Sequence, residues 1–420
     1  MIKNQNDDIR DYLQGLNEFK FDFSLDRVKN VLNYFHNPQN DFKVIHVTGS
    51  NGKGSVAHFL SSTLKEAGYK TGLYTSPHLL DVRERIVIDG RMIDKKNFSN
   101  VVLQLKNLIE SKKIKLTYFE FLTVVAFIVF KKSGVSVAIV EAGLGGRFDA
   151  TNVKYERKML SIITSIDLEH TNYLGRTKKL ILLEKEKIIG SGIAVCNVKG
   201  KKLRETLLQL HKGKIFFPED FFRIMEINQN KKFLELLVKS KTNVAFKIRT
   251  YMTEPVQAEN VLTVLASLYV LKKRKLINVS RENVIKGIRK TIIPGRFTRH
   301  KKGYYLSVSH NPAAIKEMLK AAETAADNKR IVYIYSSLKD KNVRKIFDIL
   351  SGKKNIYVIL TTIDNERAIS IEKLRKTIVK YDIKYKIEPD NLKALELAYK
   401  LKKDGIIIIG GSFYLVNRFL

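Results

Sequence analysis

Tryptophan is absent from this 420-residue chain, which has one cysteine and seven prolines. A single cysteine excludes a disulfide scaffold and a cysteine-based metal cluster, so we expect Cys196, within an apolar run, to be a core residue. Long apolar runs are also missing: the longest, over 119–130, contains Glu120 and Thr123. It is shorter than the roughly 20 residues that span a bilayer. The polar amino terminus lacks a secretory signal, so we expect a cytoplasmic protein with no membrane partner.

Acidic residues are scarce, since 42 Asp and Glu face 76 Lys and Arg, a formal net charge of +34. The cations are spread along the whole chain instead of forming one basic arm. Lys, Asn, Ile, Phe and Tyr are all abundant, which is the bias of an AT-rich coding sequence. We favour that origin and expect no nucleic-acid partner; attraction of small polyanions and nucleic-acid binding remain alternatives.

Apolar segments of strand length alternate with longer periodic segments, which is typical of a mostly parallel α/β sheet. The predicted strands lie at 43–48, 70–74, 135–141, 160–166, 193–197, 304–308, 330–335, 355–360 and 405–409. The predicted helices lie at 55–67, 119–132, 178–189, 258–272 and 313–326. The alternation restarts after Pro294-Gly295, so we predict two domains, residues 1–295 and 296–420.

A glycine-rich turn joins the first predicted strand to the first predicted helix. Backbone N–H groups in such a turn can surround phosphate oxygens, and the helix N-terminus adds a favourable dipole. Val47 and Gly54 depart from the strict G-x-x-x-x-G-K-[ST] pattern, so a tight turn without nucleotide remains an alternative. We predict a P-loop-type mononucleotide-binding site in the first domain, with Lys53 reaching the terminal phosphates. Its residues are Gly49, Ser50, Asn51, Gly52, Lys53, Gly54 and Ser55.

This turn resembles the variant phosphate loop of the Mur ligase superfamily, specifically that of folylpolyglutamate synthase and dihydrofolate synthase. Further motifs follow in that family's order along nearly the whole chain, and the segment 140–152 is highly specific. They are Tyr74-Thr-Ser-Pro-His-Leu79, Glu84-Arg-Ile86, Val140-Glu-Ala-Gly-Leu-Gly-Gly-Arg-Phe-Asp-Ala-Thr-Asn152, His170, Leu174-Gly-Arg-Thr177, Glu184-Lys185, Gln257, Asn260, Pro294-Gly-Arg-Phe297, His310-Asn-Pro312, Lys339-Asp-Lys341 and Ser412-Phe-Tyr-Leu415. The second domain then resembles the family's Rossmann-like glutamate-ligase domain.

Three polar residues, Ser76, Glu141 and His170, lie at or just beyond the carboxyl ends of predicted strands. An open α/β sheet binds its ligand at those ends, and this donor set suits Mg²⁺ that keeps waters and phosphate oxygens. From the residues alone, a capping Ser76, a surface Glu141 and a structural His170 remain alternatives. The resemblance assigns all three to Mg²⁺. It also implies that Lys185 is carbamylated and faces a second Mg²⁺, whereas the charged pattern around Lys185 predicts a solvated helix face.

A second group of residues matches positions that line the family's pterin site. Aromatic rings can stack on a flat heterocycle and a carboxylate can accept its N–H donors, although by pattern alone such aromatics are more often core. The region near Leu16-Asn-Glu18 lacks the His-Ser pair of some dihydropteroate-using members, which favours glutamate addition over dihydrofolate synthase activity. The matching residues are Thr117, Tyr118, Phe119, Glu120, Phe148, Asp149 and Ala150.

The resemblance also implies an ATP site with contributions from beyond the phosphate loop. Asn260 and Arg296 are the candidate ATP contacts, and His310 is a candidate phosphate contact. Ser307 stands where the family has an Asp, three residues before His-Asn-Pro. We therefore expect Ser307 to bind the nucleotide less strongly than a carboxylate would.

Together these matches imply a monomeric, ATP- and Mg²⁺-dependent amide ligase. Its substrates would be L-glutamate and a folate, with dihydropteroate as a further substrate, and the reaction would pass through an acyl phosphate. Two alternatives stay open from the sequence. One is another Mur-type ligase, for instance one that builds a cell-wall peptide. The other is a nucleic-acid-binding protein with a regulatory nucleotide site.

Overall fold

The computed structural model describes residues 5–16 and 24–420, so Asn17 and Glu18 lie outside the described residues. The strands are β1 (Lys43–Thr48), β2 (Thr71–Tyr74), β3 (Ile86–Ile88), β4 (Arg91–Met92), β5 (Val137–Glu141), β6 (Lys158–Ile163), β7 (Ala194–Cys196), β8 (Ile215–Phe216), β9 (Phe222–Gln229), β10 (Leu234–Ser240), β11 (Ala245–Thr250), β12 (Thr298–Arg299), β13 (Tyr305–Ser307), β14 (Ile331–Tyr335), β15 (Ile356–Leu360), β16 (Lys384–Ile387) and β17 (Ile406–Gly410). The α-helices are α1 (Gln5–Gly15), α2 (Asp26–Tyr34), α3 (Lys53–Glu66), α4 (Lys95–Ser111), α5 (Tyr118–Lys132), α6 (Thr171–Leu174), α7 (Lys178–Lys185), α8 (Lys201–Leu210), α9 (Gln257–Lys273), α10 (Arg281–Lys290), α11 (Pro312–Ala326), α12 (Val343–Leu350), α13 (Ile371–Ile378), α14 (Asn391–Lys402) and α15 (Phe413–Asn417).

Residue contacts divide the chain into two compact units. The first comprises Met1–Ile224, Val238–Phe246 and Glu259–Lys290, and the second comprises Met225–Leu237, Lys247–Ala258 and Thr291–Leu420. The strands β9, β10 and β11 form a small sheet of their own, in the order β11-β10-β9. A functional division at residue 295 stays a prediction.

The first unit is built on an eight-stranded sheet in the order β4-β3-β2-β5-β1-β6-β7-β8. Strands β2, β5, β1, β6, β7 and β8 are parallel, whereas β3 pairs antiparallel with both β2 and β4. Strand β5 is wholly buried and β1 is buried from its second residue onward, as expected of parallel strands covered on both faces. Their carboxyl ends therefore meet at one edge of the sheet, which carries the candidate site.

Two helices of the first unit show why this sheet is tightly covered. Helix α5 begins with a capping box in which Thr117 and Glu120 bind each other's backbone N–H groups, and it is apolar nearly all round. Helix α10 packs so closely on α3 that a Cβ built on Gly287 would lie 2.4 Å from the Thr63 Cα. Among residues 5–16 and 24–420, no helix is long and apolar enough to cross a membrane.

The second unit contains a six-stranded sheet in the order β12-β13-β17-β14-β15-β16. All its neighbouring strands are parallel except β12, which is antiparallel to β13. Its core contains the Ala-rich buried face of α11, the buried residues of α12 and the rings of Tyr333 and Tyr335 on β14. The predicted α/β class, with a mostly parallel sheet and a second α/β unit, is confirmed.

Candidate active site

The predicted phosphate loop joins the end of β1 to the start of α3. Gly52 precedes the helix in the left-handed conformation, with φ +87°. A Cβ built there would lie 2.3 Å from the Asn260 Oδ1. The turn therefore requires glycine at this position, and the structure brings Asn260, predicted from a distant motif, directly against it.

The middle of the loop is anchored to the segment that follows β6. The Ser50 N–H donates to the Ser165 carbonyl (2.9 Å), and the Ser50 hydroxyl donates to the Asp167 carbonyl (3.1 Å). The Asn51 N–H donates to the Ser165 Oγ (2.9 Å). Sequence reasoning missed Ser165 and Asp167, although their place after a strand that neighbours β1 was a usable signal.

Two lysines predicted from separate motifs meet at one backbone carbonyl. The Lys53 Nζ donates to the Gly49 carbonyl (2.8 Å), and the Lys185 Nζ donates to the same oxygen (3.0 Å). The Lys185 side chain is only 1% exposed and also forms an ion pair with Glu169 (2.8 Å). The solvated face that the charged pattern predicted for Lys185 is therefore wrong, whereas Lys187, 41% exposed, does face solvent.

The surroundings of Lys185 raise the fraction of its side chain that is a neutral amine. Burial lowers the pKa of Lys185 to about 8; Glu169 opposes this shift and the nearby Lys53 charge adds to it. Burial alone would raise the pKa of Glu169, but the charges of Lys53 and Lys185 outweigh it and lower that pKa. Sequence reasoning missed Glu169, whose only local signal is its place next to His170.

The predicted metal residues Ser76 and Glu141 lie together. Glu141 ends β5 and is buried, and its Oε2 accepts a long hydrogen bond from the Ser76 N–H (3.4 Å). The same oxygen would lie 3.5 Å from a Cβ built on Gly54, in the first turn of α3. The carboxylate is therefore next to the phosphate loop, where a cation could contact both it and a phosphate.

His170 is exposed and precedes the short helix α6 in a left-handed conformation, φ 43°. Its charge contributes to the lowered pKa of Glu169, which places it on the Glu169 side of the site. Within the described residues, no three His, Cys, Asp or Glu side chains could hold a metal alone. This donor set therefore fits Mg²⁺, which usually keeps waters and phosphate oxygens, better than a metal that needs a full protein cage.

The carboxylate of Glu120, which the resemblance assigns to the pterin site, already accepts hydrogen bonds from two residues of the protein. Its Oε2 accepts from the Thr117 N–H (2.7 Å), and its Oε1 accepts from the Arg27 guanidinium (2.7 Å). Glu120 and Thr117 therefore shape the start of α5, and Arg27 links that helix to α2. Sequence reasoning missed Arg27, which has no nearby motif.

The predicted aromatic residues divide into buried and accessible ones. Tyr118 is buried beneath the Arg85 guanidinium, 5.1 Å from its ring centroid. Phe119 is half-buried and stacks on Tyr74, with centroids 5.9 Å apart. Phe148 is 44% exposed. A Cβ on Gly143 would lie 2.6 Å from the Phe119 ring, so Phe119 lies against the glycine-rich loop after β5.

Asp149 is buried within that loop, close to Ala150, which is also buried. Its Oδ2 accepts from the Leu144 N–H (2.7 Å), and its Oδ1 accepts from the N–H (3.0 Å) and the hydroxyl (2.5 Å) of Thr151. Burial raises the pKa of Asp149, and these hydrogen bonds act in the opposite direction. The Gly143 N–H also acts on this carboxylate and lowers its pKa, so backbone N–H groups of the glycine-rich loop surround Asp149.

The loop that carries Ser76 is held by two residues of the following motif. The Glu84 carboxylate accepts from the N–H groups of Leu79 (2.8 Å) and Asp81 (2.8 Å). The Arg85 Nε donates to the His78 Nδ1 (2.9 Å). Burial, reinforced by Arg85, lowers the pKa of His78 to about 4, so this imidazole is neutral.

In the second unit, the predicted residues follow β13. Ser307 is wholly buried, its hydroxyl donates to the Ser309 Oγ (3.0 Å), and it accepts from the Ser309 N–H (3.4 Å). The His310 Nδ1 lies 2.9 Å from the Val308 carbonyl, which requires the proton on Nδ1. Asn311 caps α11 by accepting from the Ala314 N–H (2.9 Å).

Arg296 lies in a turn that contacts the same segment. The Val308 N–H donates to the Gly295 carbonyl (2.8 Å), and Gly295 has φ +77°. Arg296 also acts on the buried Glu254: burial raises the pKa of that carboxyl, and the Arg296 charge opposes the shift. The second unit thus brings Arg296 to the loop of Ser307 and His310.

Hydroxyl groups gather at the carboxyl edge of the second sheet, a feature that sequence reasoning missed. Ser336 and Ser337 follow β14 and are fully buried, and the Ser336 hydroxyl has no partner among the described residues. Gly411 follows β17, and a Cβ there would lie 2.3 Å from the Ser336 carbonyl. The loops after these neighbouring strands therefore converge, which is the arrangement of a ligand crevice.

The sequence matches the Mur ligase middle domain over residues 47–268, more than half of the chain, and the Mur ligase, glutamate ligase domain over residues 295–413. The chain belongs to the Mur ligase superfamily. It is 28% identical over 431 residues to dihydrofolate synthase/folylpolyglutamate synthase of Bacillus subtilis, covering 98% of this chain and 97% of the relative. It is 30% identical to the Buchnera aphidicola (subsp. Acyrthosiphon pisum) protein of the same name, covering 90% and 88%.

A solved structure, E. coli FolC in complex with DHPP and ADP, resembles this Mur ligase with a TM-score of 0.86 and 25% identity. The similarity covers the whole of this chain and 97% of the E. coli chain. These relatives confirm the predicted folylpolyglutamate synthase/dihydrofolate synthase branch and the predicted enzyme class, an ATP-dependent ligase. They do not favour the other Mur-type ligase or the nucleic-acid-binding alternative.

Proposed function

We propose that this chain joins L-glutamate to the carboxylate of a folate in an ATP-dependent reaction, and also accepts dihydropteroate. The observation that carries the proposal is the cluster at the phosphate loop, where Lys53, Lys185 and Glu141 approach one glycine-rich turn. Such a cluster suits a phosphoryl group that is transferred in a water-poor site. The name of the E. coli relative's complex, with DHPP and ADP, supports the same substrate classes.

The chemistry requires activation because a free carboxylate is a poor acyl donor. The carboxylate oxygen attacks the γ-phosphorus of ATP, the bond to ADP breaks, and an acyl phosphate forms. The neutral amine of L-glutamate then attacks the acyl carbon, the C–O bond to phosphate breaks, and inorganic phosphate and one proton leave as the amide forms. Lys53 offsets the negative charge on the transferred group, assisted by the N-terminus of α3.

A divalent cation would be held by Ser76, Glu141 and His170, and Mg²⁺ fits their oxygen and imidazole donors. Such an ion supplies positive charge that stabilises the phosphoryl oxygens as the bond to ADP breaks. The proximity of Glu141 to the first turn of α3 supports its role. We place a second ion beside Lys185.

A carbamate on Lys185 would supply the ligand for that second ion. The neutral amine attacks CO2, forms an N–C bond and loses one proton, which leaves an anion. Burial favours the neutral amine, because it lowers the pKa of Lys185 to about 8. Glu169, now 2.8 Å from the Nζ, would then face a like charge, and a second ion held by the carbamate would offset that repulsion.

The pterin ring would lie against the accessible aromatic residues. Phe119 and Phe148 would stack on its ring, and the Asp149 carboxylate would accept an N–H donor of the pterin. The buried members of the predicted set shape the pocket. They are Thr117, Tyr118, Glu120 and Ala150.

The remaining predicted residues would bind the nucleotide. Asn260, beside Gly52, supports an ATP contact in the first unit. Arg296, Ser307 and His310 contribute from the glutamate-ligase domain, residues 296–420, where His310 would contact a phosphate. We further propose that the enzyme is a cytoplasmic monomer without a nucleic-acid partner, because its cations are not gathered in one stretch of the sequence.

Glutamate-dependent ADP release, measured separately with tetrahydrofolate and with dihydropteroate, tests this function. We expect release with both substrates, and none without glutamate. Release with neither folate-type substrate, but with a cell-wall peptide precursor, would contradict the proposal. Release with only one of them would restrict the activity to that substrate.

A further inference from the structure

A buried histidine lies on a central strand of the first sheet and belongs to none of the phosphate, metal and pterin residue groups. His46 is on β1, two residues before the strand ends, and is fully buried. Its neighbours across the sheet are Val140 on β5 and Ser161 on β6. Burial, together with the charge of Lys158, lowers the pKa of His46 well below its usual value, so the imidazole is neutral.

This imidazole has one polar contact, and that contact leads to the candidate folate pocket. The His46 Nε2 lies 2.8 Å from the Thr151 Oγ1, while its Nδ1 has no partner among the described residues. The Thr151 hydroxyl in turn lies 2.5 Å from the Asp149 Oδ1. A continuous buried chain therefore runs from His46 through Thr151 to Asp149.

The direction of the protons in this chain follows from the donors at its far end. Burial raises the pKa of Asp149, but the backbone N–H groups of Leu144 and Thr151, one on each oxygen, oppose this shift by favouring the ionised form. An ionised carboxylate can only accept hydrogen bonds. The Thr151 hydroxyl must then donate to Asp149. Its single hydrogen is thereby used, so its oxygen accepts from His46, and the proton of His46 lies on Nε2.

We propose that His46 is a positioning residue of the folate pocket, whose Nε2–H holds the Thr151 hydroxyl so that it donates to Asp149. This inference rests on the proposed function, because Asp149 is the proposed acceptor for the pterin. Loss of the His46 bond frees the Thr151 hydroxyl to turn away and leaves the Asp149 Oδ1 with one donor fewer. The carboxylate then loses the orientation that a bound heterocycle requires, whereas the phosphate loop keeps its own anchors.

Four single variants test the chain, and a fifth is the control. His46→Leu removes the Nε2–H donor, and Thr151→Val removes the hydroxyl. His46→Gln keeps an N–H donor at this position, and Thr151→Ser keeps the hydroxyl. Thr63→Val is the matched control, since Thr63 is also buried and its hydroxyl has no partner among the described residues.

We expect His46→Leu and Thr151→Val each to raise the KM for tetrahydrofolate about tenfold, the usual effect of one lost hydrogen bond of about 1.4 kcal/mol. The KM for ATP and kcat should stay within about twofold. His46→Gln and Thr151→Ser should restore most of the affinity, and Thr63→Val should leave both KM values unchanged. The double variant His46→Leu/Thr151→Val should be no worse than Thr151→Val, because both changes remove the same contact.

A second measurement does not depend on activity. Nitrogen NMR of the ¹⁵N-histidine-labelled enzyme should show His46 as the Nε2–H form. Its signals should not titrate across about pH 5.5–8.5, the range in which an exposed histidine does. The Nδ1–H form would overturn the proposal, and so would equal rises of both KM values in His46→Leu. If the wild type released no ADP with any folate, the proposed function would fail while the NMR result could still stand.

Discussion

Gly52→Ala tests the geometry of the phosphate loop most directly. The new Cβ would lie 2.3 Å from the Asn260 Oδ1, the end of a side chain that can move, while φ at this position is +87°. A left-handed conformation costs an L-residue about 1–2 kcal/mol. We therefore expect the free energy of unfolding to fall by about that amount, because the neighbouring side chain can yield but the backbone cannot.

The second expected effect is on nucleotide binding. If Asn260 contacts the nucleotide, its displacement removes a neutral hydrogen bond worth about 0.5–1.5 kcal/mol. The Kd for ADP should then rise by about two- to twelvefold. Urea unfolding measures the first quantity, and calorimetric titration with ADP measures the second.

Gly54→Ala is the matched control in the same loop. Its Cβ would lie 3.5 Å from the Glu141 Oε2, an ordinary contact, and Gly54 is within α3. We expect unchanged or slightly higher stability there, because alanine favours a helix by about 1 kcal/mol over glycine. Wild-type stability in Gly52→Ala would refute the backbone argument. If the rise in Kd comes from displaced Asn260, Gly52→Ala should have no further effect on the Kd for ADP in an Asn260→Ala background. An equal rise there would refute the displacement argument.

Three further predictions concern the charged groups of the site. Lys53→Ala should abolish glutamate-dependent ADP release without unfolding the chain, since glycines set the turn; near-normal turnover would remove Lys53 from the phosphate role. Glu141→Ala and His170→Ala should each raise the Mg²⁺ concentration for half-maximal rate, and wild-type curves in both would contradict the metal assignment. Lys185→Ala should be inactive and partly rescued by short carboxylates in solution. An unmodified Lys185 in the intact mass of an active preparation would contradict the carbamate.

The strands that the sequence predicted best are those buried on both faces. Strands β5 and β14 are continuous apolar runs bounded by polar residues, so their pattern has few alternatives. Strand β9 was not predicted, because most of its residues are exposed and its pattern does not alternate between apolar and polar. Short edge strands such as β4 and β8 have two residues each, which is too few for any periodic signal.

The candidate site shows the same limit at the level of single residues. The loop glycines could be predicted because a turn that surrounds phosphate leaves a local pattern. The surroundings of Lys185 could not, because its partners Gly49 and Glu169 are brought to it by the fold. Ser336 and Ser337 also had no local signal, since their importance comes from the convergence of neighbouring strand ends.

Ser307 stands where the sequence resemblance predicts an Asp in the family, and because Ser307 is buried, a substitution there should also change stability. An ionised carboxylate at this position would accept from a ribose hydroxyl with about 1.5–3 kcal/mol, more than a serine provides. Ser307→Asp should therefore lower the KM for ATP by about tenfold and leave the KM for glutamate nearly unchanged.

In the free enzyme the same carboxylate would be desolvated, because Ser307 is fully buried. The Ser309 hydroxyl and N–H, which now contact Ser307, would compensate only in part. We expect the free energy of unfolding to fall by about 1–3 kcal/mol without nucleotide. ADP should then raise the Tm of Ser307→Asp by more than it raises that of the wild type, because tighter binding gives a larger linked stabilisation.

Ser307→Ala, which adds no charge, should show no gain in ATP affinity. An unchanged KM for ATP in a folded Ser307→Asp variant would show that Ser307 and Ser309 already bind the ribose adequately, and that loss of the family carboxylate has no energetic consequence.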